Sequence, residues 1–89
     1  MLLASLKDVL VCDVEEFDII DEKTGQPQFY YKAYFYNKRS VIGVSCSKEQ
    51  ANHLASLIGN FVSFECEAND YNGKVKYKLL PEAEINVKE

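Results

Sequence analysis

The 89-residue chain has no tryptophan, one histidine, one methionine, two prolines and four glycines. So few breakers exclude a collagen-like or low-complexity chain, and a hydrophobic fraction of 47% argues against disorder. Long apolar runs are missing. Met1 to Leu6 is apolar, but it is too short for a secretory or membrane segment and lacks a basic start and a cleavage site. The expectation is therefore a cytoplasmic protein with no membrane partner. Cys12, Cys46 and Cys66 are odd in number and far apart, and His53 is the lone histidine. That pattern lacks the paired spacing of a structural zinc site and reads as buried free thiols, with no metal expected.

Catalytic signatures are missing too. No P-loop, nucleophile elbow, zinc-hydrolase helix or paired-acid arrangement is present. The acidic run Asp13, Glu15, Glu16, Asp18, Asp21 and Glu22 lacks calcium-loop spacing and reads as a solvated edge. No enzyme activity, cofactor or small-molecule substrate is expected. At this length the chain is one domain spanning residues 1–89, with residues 82–89 forming a frayed tail or a short edge strand.

Charge is absent by sign in blocks. Residues 23–48 hold five bases and no acid, residues 49–73 four acids and no base, and residues 74–80 three lysines and no acid. The formal net charge is −4, yet chains blocked in this way can present a basic face.

What is abundant is aromatic. Gln28 to Tyr36 holds four of the six tyrosines and two of the five phenylalanines, and reads as a strand. Alternation puts Phe29, Tyr31, Ala33 and Phe35 on the core face and Tyr30, Lys32, Tyr34 and Tyr36 on the other. Before it, Lys7 to Ile20 reads as a long first strand with a bulge or bend near Val14 to Glu16. A tight turn at Asn37-Lys38 leads to a third strand, Ser40 to Cys46. That turn would pair Tyr36 with Arg39 and Tyr34 with Val41.

Ser47 and Gln50 form a capping-box pattern for a helix with its stripe at Ala51, Leu54, Ala55 and Ile58, stopped at Gly59. His53 reads as a surface residue of that helix. Phe61 to Ala68 is strand four, with Val62, Phe64, Cys66 and Ala68 inward. Asn69 to Gly73 is a hairpin turn, and Lys74 to Leu80 is strand five, with Val75, Tyr77 and Leu79 inward.

Three strands, one short helix and two strands are the element order of a five-stranded OB-fold Greek-key barrel, all-β with one helix. An open α+β sheet is the alternative. The size, the element order and the aromatic-lysine second strand resemble small single-stranded-DNA-binding proteins of phages and conjugative elements, the gene V type among them. The resemblance covers the layout from about Lys7 to Leu80. It implies homodimers that bind DNA through the face of strands two and three, in phage or mobile-element DNA replication or transfer.

The residues fit such a role in their own right. Stacking on Tyr30, Tyr34 and Tyr36 and phosphate contacts from Lys23, Lys32, Lys38 and Arg39 would bind single-stranded DNA, or RNA, without sequence preference. Tyr71, at the turn, would clamp a base, and Lys74 is the least paired of its stripe. Glu65 and Glu67 share a face with Lys74, Lys76 and Lys78 and would offset much of that charge, Glu67 opposite Lys76 and Glu65 opposite Lys78 if the loop has four residues. The alternative for the tyrosine face is contact with protein, in an assembly factor or an inhibitor of a host protein.

Overall fold

The structure, a computed structural model, describes residues 2–88, with the side chain of Tyr71 outside that description. Its elements are β1 (Leu2–Ile20), β2 (Pro27–Asn37), β3 (Ser40–Cys46), α1 (Lys48–Ala55), β4 (Phe61–Tyr71), β5 (Lys74–Leu79) and β6 (Asn86–Val87). The sheet runs β1-β2-β3-β5-β4, and β1 also pairs with β4, so five strands close on themselves. β3 and β5 run parallel, and the other pairs are antiparallel. This is the OB-fold expected from the element order, and the open-sheet alternative is excluded by the β1–β4 closure.

β1 closes the barrel because it bends. Its first half, from Leu2 to Leu10, pairs with β4, and its second half, from Leu10 to Ile20, pairs with β2. The bulge lies at Cys12, between Val11 and Asp13, rather than at Val14 to Glu16. Val11 and Val14 sit an odd number of residues apart yet both serve the core side, so an extra residue must be inserted between them. That residue is Cys12, which is pushed to the surface; of the three free thiols only Cys66 is fully buried. Burial raises the Cys66 and Cys46 thiols above their usual range, leaving both as weak nucleophiles. A second irregularity, between Leu6 and Val9, places Asp8 at φ 53°, with its N–H donated to Ser63 Oγ at 3.0 Å.

The core lies inside the barrel: Val9, Val11, Ala33, Phe35, Val44, Leu54, Val62, Phe64, Cys66 and Leu79. Phe35 and Phe64 meet at its centre, ring centroids 4.8 Å apart. α1 plugs the barrel with Ala51 and Leu54, and both halves of its capping box are formed by Ser47 and Gln50. Gln50 Nε2 also donates to the Leu80 carbonyl, fixing the chain after β5. The helix ends at Ser56, so Ile58, expected on its apolar stripe, is exposed.

Two of the residues expected inward on the strands are exposed, Phe29 by 58% and Val75 by 54%, while Tyr31, Ala68 and Tyr77 are half-buried. The β1–β2 hairpin runs past the barrel wall, so the alternation of β2 continues where no opposite wall exists. The turn after β2 is Lys38-Arg39, which pairs Asn37 with Ser40 and Tyr34 with Gly43, a shift of two residues from the expected register. The faces survive because a slip of two keeps every side chain on its side. Lys38 takes the left-handed conformation, φ 54°, that the turn requires. The β4–β5 turn is Asn72-Gly73, both left-handed, as Asn-Gly favours. Tyr71 therefore pairs with Lys74 within the strands and is not at the loop tip. After β5 the chain leaves the barrel and returns as β6 on Val62 and Ser63.

Candidate nucleic-acid interface

On the outer wall, β2 presents Tyr30, Lys32, Tyr34 and Tyr36 side by side, as alternation requires. Tyr30 and Tyr36 are exposed, and Lys32 and Tyr34 are half-buried. Cross-strand registers set their neighbours. One row runs Glu15, Lys32, Ser45, Lys78 across β1, β2, β3 and β5. The adjacent row joins Asp13, Tyr34 and Gly43, and Tyr36 stands beside Val41.

Gly43 is what lets the wall close over itself. A Cβ there would run into Cε of Lys32, so the lysine lies across the glycine, its Nζ 5.8 Å from the Tyr34 ring centroid. The Tyr34 hydroxyl donates to Glu15 Oε2 at 3.4 Å. Partial burial, then the charge of Glu15 and the bond to it, then Asp13, push the Tyr34 phenol above its usual range. Tyr34 is therefore a neutral donor at every physiological pH. Tyr30 stacks on Phe17 across the β1–β2 pair, centroids 5.8 Å apart and planes 23° off parallel, and its hydroxyl donates to Gln28 Oε1 at 2.7 Å. Phe17, Lys32, Gly43, Ser45, Val75 and Lys76 line one shallow cleft of about 430 Å³.

The expected site residues thus fall into groups. Tyr30, Lys32, Tyr34 and Tyr36 form the wall, and Lys74 begins β5, which lies between β3 and β4. Lys38 and Arg39 are exposed on the β2–β3 turn, at the rim beyond Tyr36. Lys23 lies in the β1–β2 loop, a strand length of roughly 30 Å from that turn, and does not join them. The side chain of Tyr71 lies outside the described residues.

Sequence reasoning left out Lys76 and Lys78, assigning them to Glu67 and Glu65. The two-residue turn sets Glu67 opposite Lys78 and Asn69 opposite Lys76. Among the described residues, neither Lys74 nor Lys78 forms an ion pair within 4.0 Å, whereas Lys88 reaches Asp8 at 3.9 Å. The signal was present: Asn-Gly fixes the short turn, and the barrel order sets β5 beside β3. Asp13 and Glu15, expected on a solvated edge, border Lys32 and Tyr34 directly. Among the described residues no group of three or more His, Cys, Asp or Glu could hold a metal ion, and no helix is long and apolar enough to cross a membrane.

No family model matches the chain, and no curated protein matches it. A solved structure does: the OB domain of Ta0387 from Thermoplasma acidophilum, determined in solution, with a TM-score of 0.56 at 10% identity, covering 97% of this chain and 73% of that one. The chain is similar to that domain in fold. At this identity the likeness carries the barrel and nothing finer.

Proposed function

We propose that residues 1–89 act as one OB-fold module that binds single-stranded DNA, tolerant of sequence, on the outer wall of β2, β3 and β5. The observation that carries the reading is the arrangement of the wall: exposed tyrosines on β2, a floor of Gly43 and Ser45 on β3, and the β5 lysines beyond it. Because the Lys32 stem lies in the gap that Gly43 leaves, the floor stays low, and bases lie against the rings while phosphates reach Lys78, Lys74 and Lys32. OB-folds bind oligonucleotides on this face, which supports the reading. Protecting a transient strand in phage or mobile-element DNA replication or transfer is the setting that the resemblance in layout adds.

A gel-shift panel of single-stranded DNA, duplex DNA and RNA tests it. Single strands are expected to shift at low salt and duplex not to; RNA shifting alone would move the reading from DNA to RNA. Tyr36→Ala is expected to weaken binding about five- to a hundredfold, the worth of one stacked base. Unchanged affinity in that variant would remove the tyrosine wall from the mechanism.

The homodimer belongs to the same proposal. On the face of the hairpin away from Tyr30, Ile20 is 64% exposed and lies diagonal to Phe29, a strong incentive for a second copy to cover them. Phe29→Asp is expected to yield a monomer in sedimentation; a wild-type chain already monomeric at high concentration would overturn it. The same exposed residues carry a second reading, a protein-interaction module that uses this arm and the tyrosine face. It would show as a protein partner raising the thermal midpoint while neither poly(dT) nor poly(dC) does.

A further inference from the structure

The wall is charged asymmetrically, and the asymmetry has a chemical consequence for the ligand. Resting on the single-strand reading above, we propose that Asp13 and Glu15 make the site favour bases that carry an exocyclic amino group, cytosine and adenine above all, over thymine and uracil. The two carboxylates stand on β1, on the outer face, directly opposite Tyr34 and Lys32. The β5 cations stand on the other side, with Lys78 opposite Ser45 and Glu67 behind it on β4. A strand lying across Gly43 and Ser45 meets the β5 lysines on one flank and, past Lys32, the β1 carboxylates on the other. Its phosphates go to the lysines, because the same phosphates set beside Asp13 and Glu15 would be repelled. Its bases then extend across Tyr34 and Tyr36 with their hydrogen-bonding edges toward β1.

A carboxylate only accepts hydrogen bonds. The amino group of cytosine or adenine donates to it, as in the pairing of Glu or Asp with the cytosine amino group in DNA readout. The O4 carbonyl of thymine or uracil, in the same place, presents a lone pair to a negative charge, and leaves only the N3–H, set further along the edge, to donate. Both carboxylates have capacity to spare. Glu15 Oε2 takes the Tyr34 hydroxyl at the long distance of 3.4 Å, and Asp13 Oδ1 takes the Val14 N–H at 2.8 Å, leaving the second oxygen of each. Guanine, with two neighbouring donors, belongs to the same favoured class.

The cleanest probes are ten-nucleotide oligo(dC) and oligo(dU) at pH 8, pyrimidines alike in size that differ at position 4 and in the N3 proton. Fluorescence anisotropy of the full chain is expected to show oligo(dC) bound about five- to tenfold more tightly, at the low end of the range that one base contact gives. The double variant Asp13→Asn with Glu15→Gln keeps acceptors for Val14 and Tyr34 while removing both charges. It is expected to bind oligo(dU) more tightly than the wild type does and to lose the preference. Equal affinities in the wild type would overturn the inference and leave single-strand binding intact. A preference that persists in the double variant would overturn the role of these carboxylates. No binding of either probe would remove the functional reading itself, and this inference with it. Circular dichroism of the variant, unchanged, keeps misfolding out of the comparison.

Discussion

Phe35→Ala is expected to lower the free energy of unfolding by about 3–5 kcal/mol, the range for removing a fully buried phenylalanine. Phe35 is completely enclosed and packs against Phe64, so no surface change can absorb the loss. The cavity would open where β2 meets β4 across the barrel, between strands paired with β1 and held by their own ladders. It would therefore collapse little. A domain of this size is stable by roughly 4–13 kcal/mol, so the variant sits near the threshold of folding. Urea denaturation measures it: a lower midpoint with an unchanged slope is expected. A loss under about 1 kcal/mol would mean that the barrel interior is not packed as described.

The second large effect concerns the β5 lysines. Replacing Lys74 and Lys78 together by glutamate is expected to weaken binding of single-stranded DNA about tenfold to a hundredfold at low salt. Each replaces an attraction to phosphate by a repulsion at a site exposed to solvent. Losing two phosphate contacts should also flatten the salt dependence, by about 0.7 in the log–log slope for each. Stability should fall by no more than about 1 kcal/mol: both side chains are exposed and make no ion pair among the described residues, but Lys78→Glu sets a second carboxylate opposite Glu67. A double variant that binds as the wild type does would place the phosphates elsewhere, and the β1 carboxylates would then have no reason to face the bases.

Much of this fold could be read from the chain because local signals agreed with the barrel. The capping box at Ser47 and Gln50, the alternation of Val62, Phe64 and Cys66, and the apolar face of Ala33 and Phe35 each mark an element and its buried side. What failed has definite causes. The β2–β3 register came out two residues off because a slip of two preserves both faces, and the turn has no glycine to fix it; Lys38 takes up the left-handed position instead. Phe29 shows that alternation assigns a face but cannot say whether a wall stands opposite it. The tyrosine face was legible from composition and spacing alone. Its surroundings were not, since they depend on which strands adjoin: Lys78 is thirty-three residues from Ser45 in sequence yet pairs with it, and Glu15 reaches Tyr34 across nineteen. The acidic run reads as a plain solvated edge until the first strand is folded back along the second, which sets Asp13 and Glu15 beside Tyr34 and Lys32.

A titration of the isotope-labelled chain with an unstructured oligonucleotide, followed by backbone amide resonances, tests the central claim most directly. The expected shifts fall on Lys32, Tyr34, Tyr36, Gly43, Ser45 and Lys78, saturate together and weaken as salt rises. No shifts at low salt, or shifts confined to the opposite side of the barrel around Ser5, Ser63 and Glu65, would contradict it.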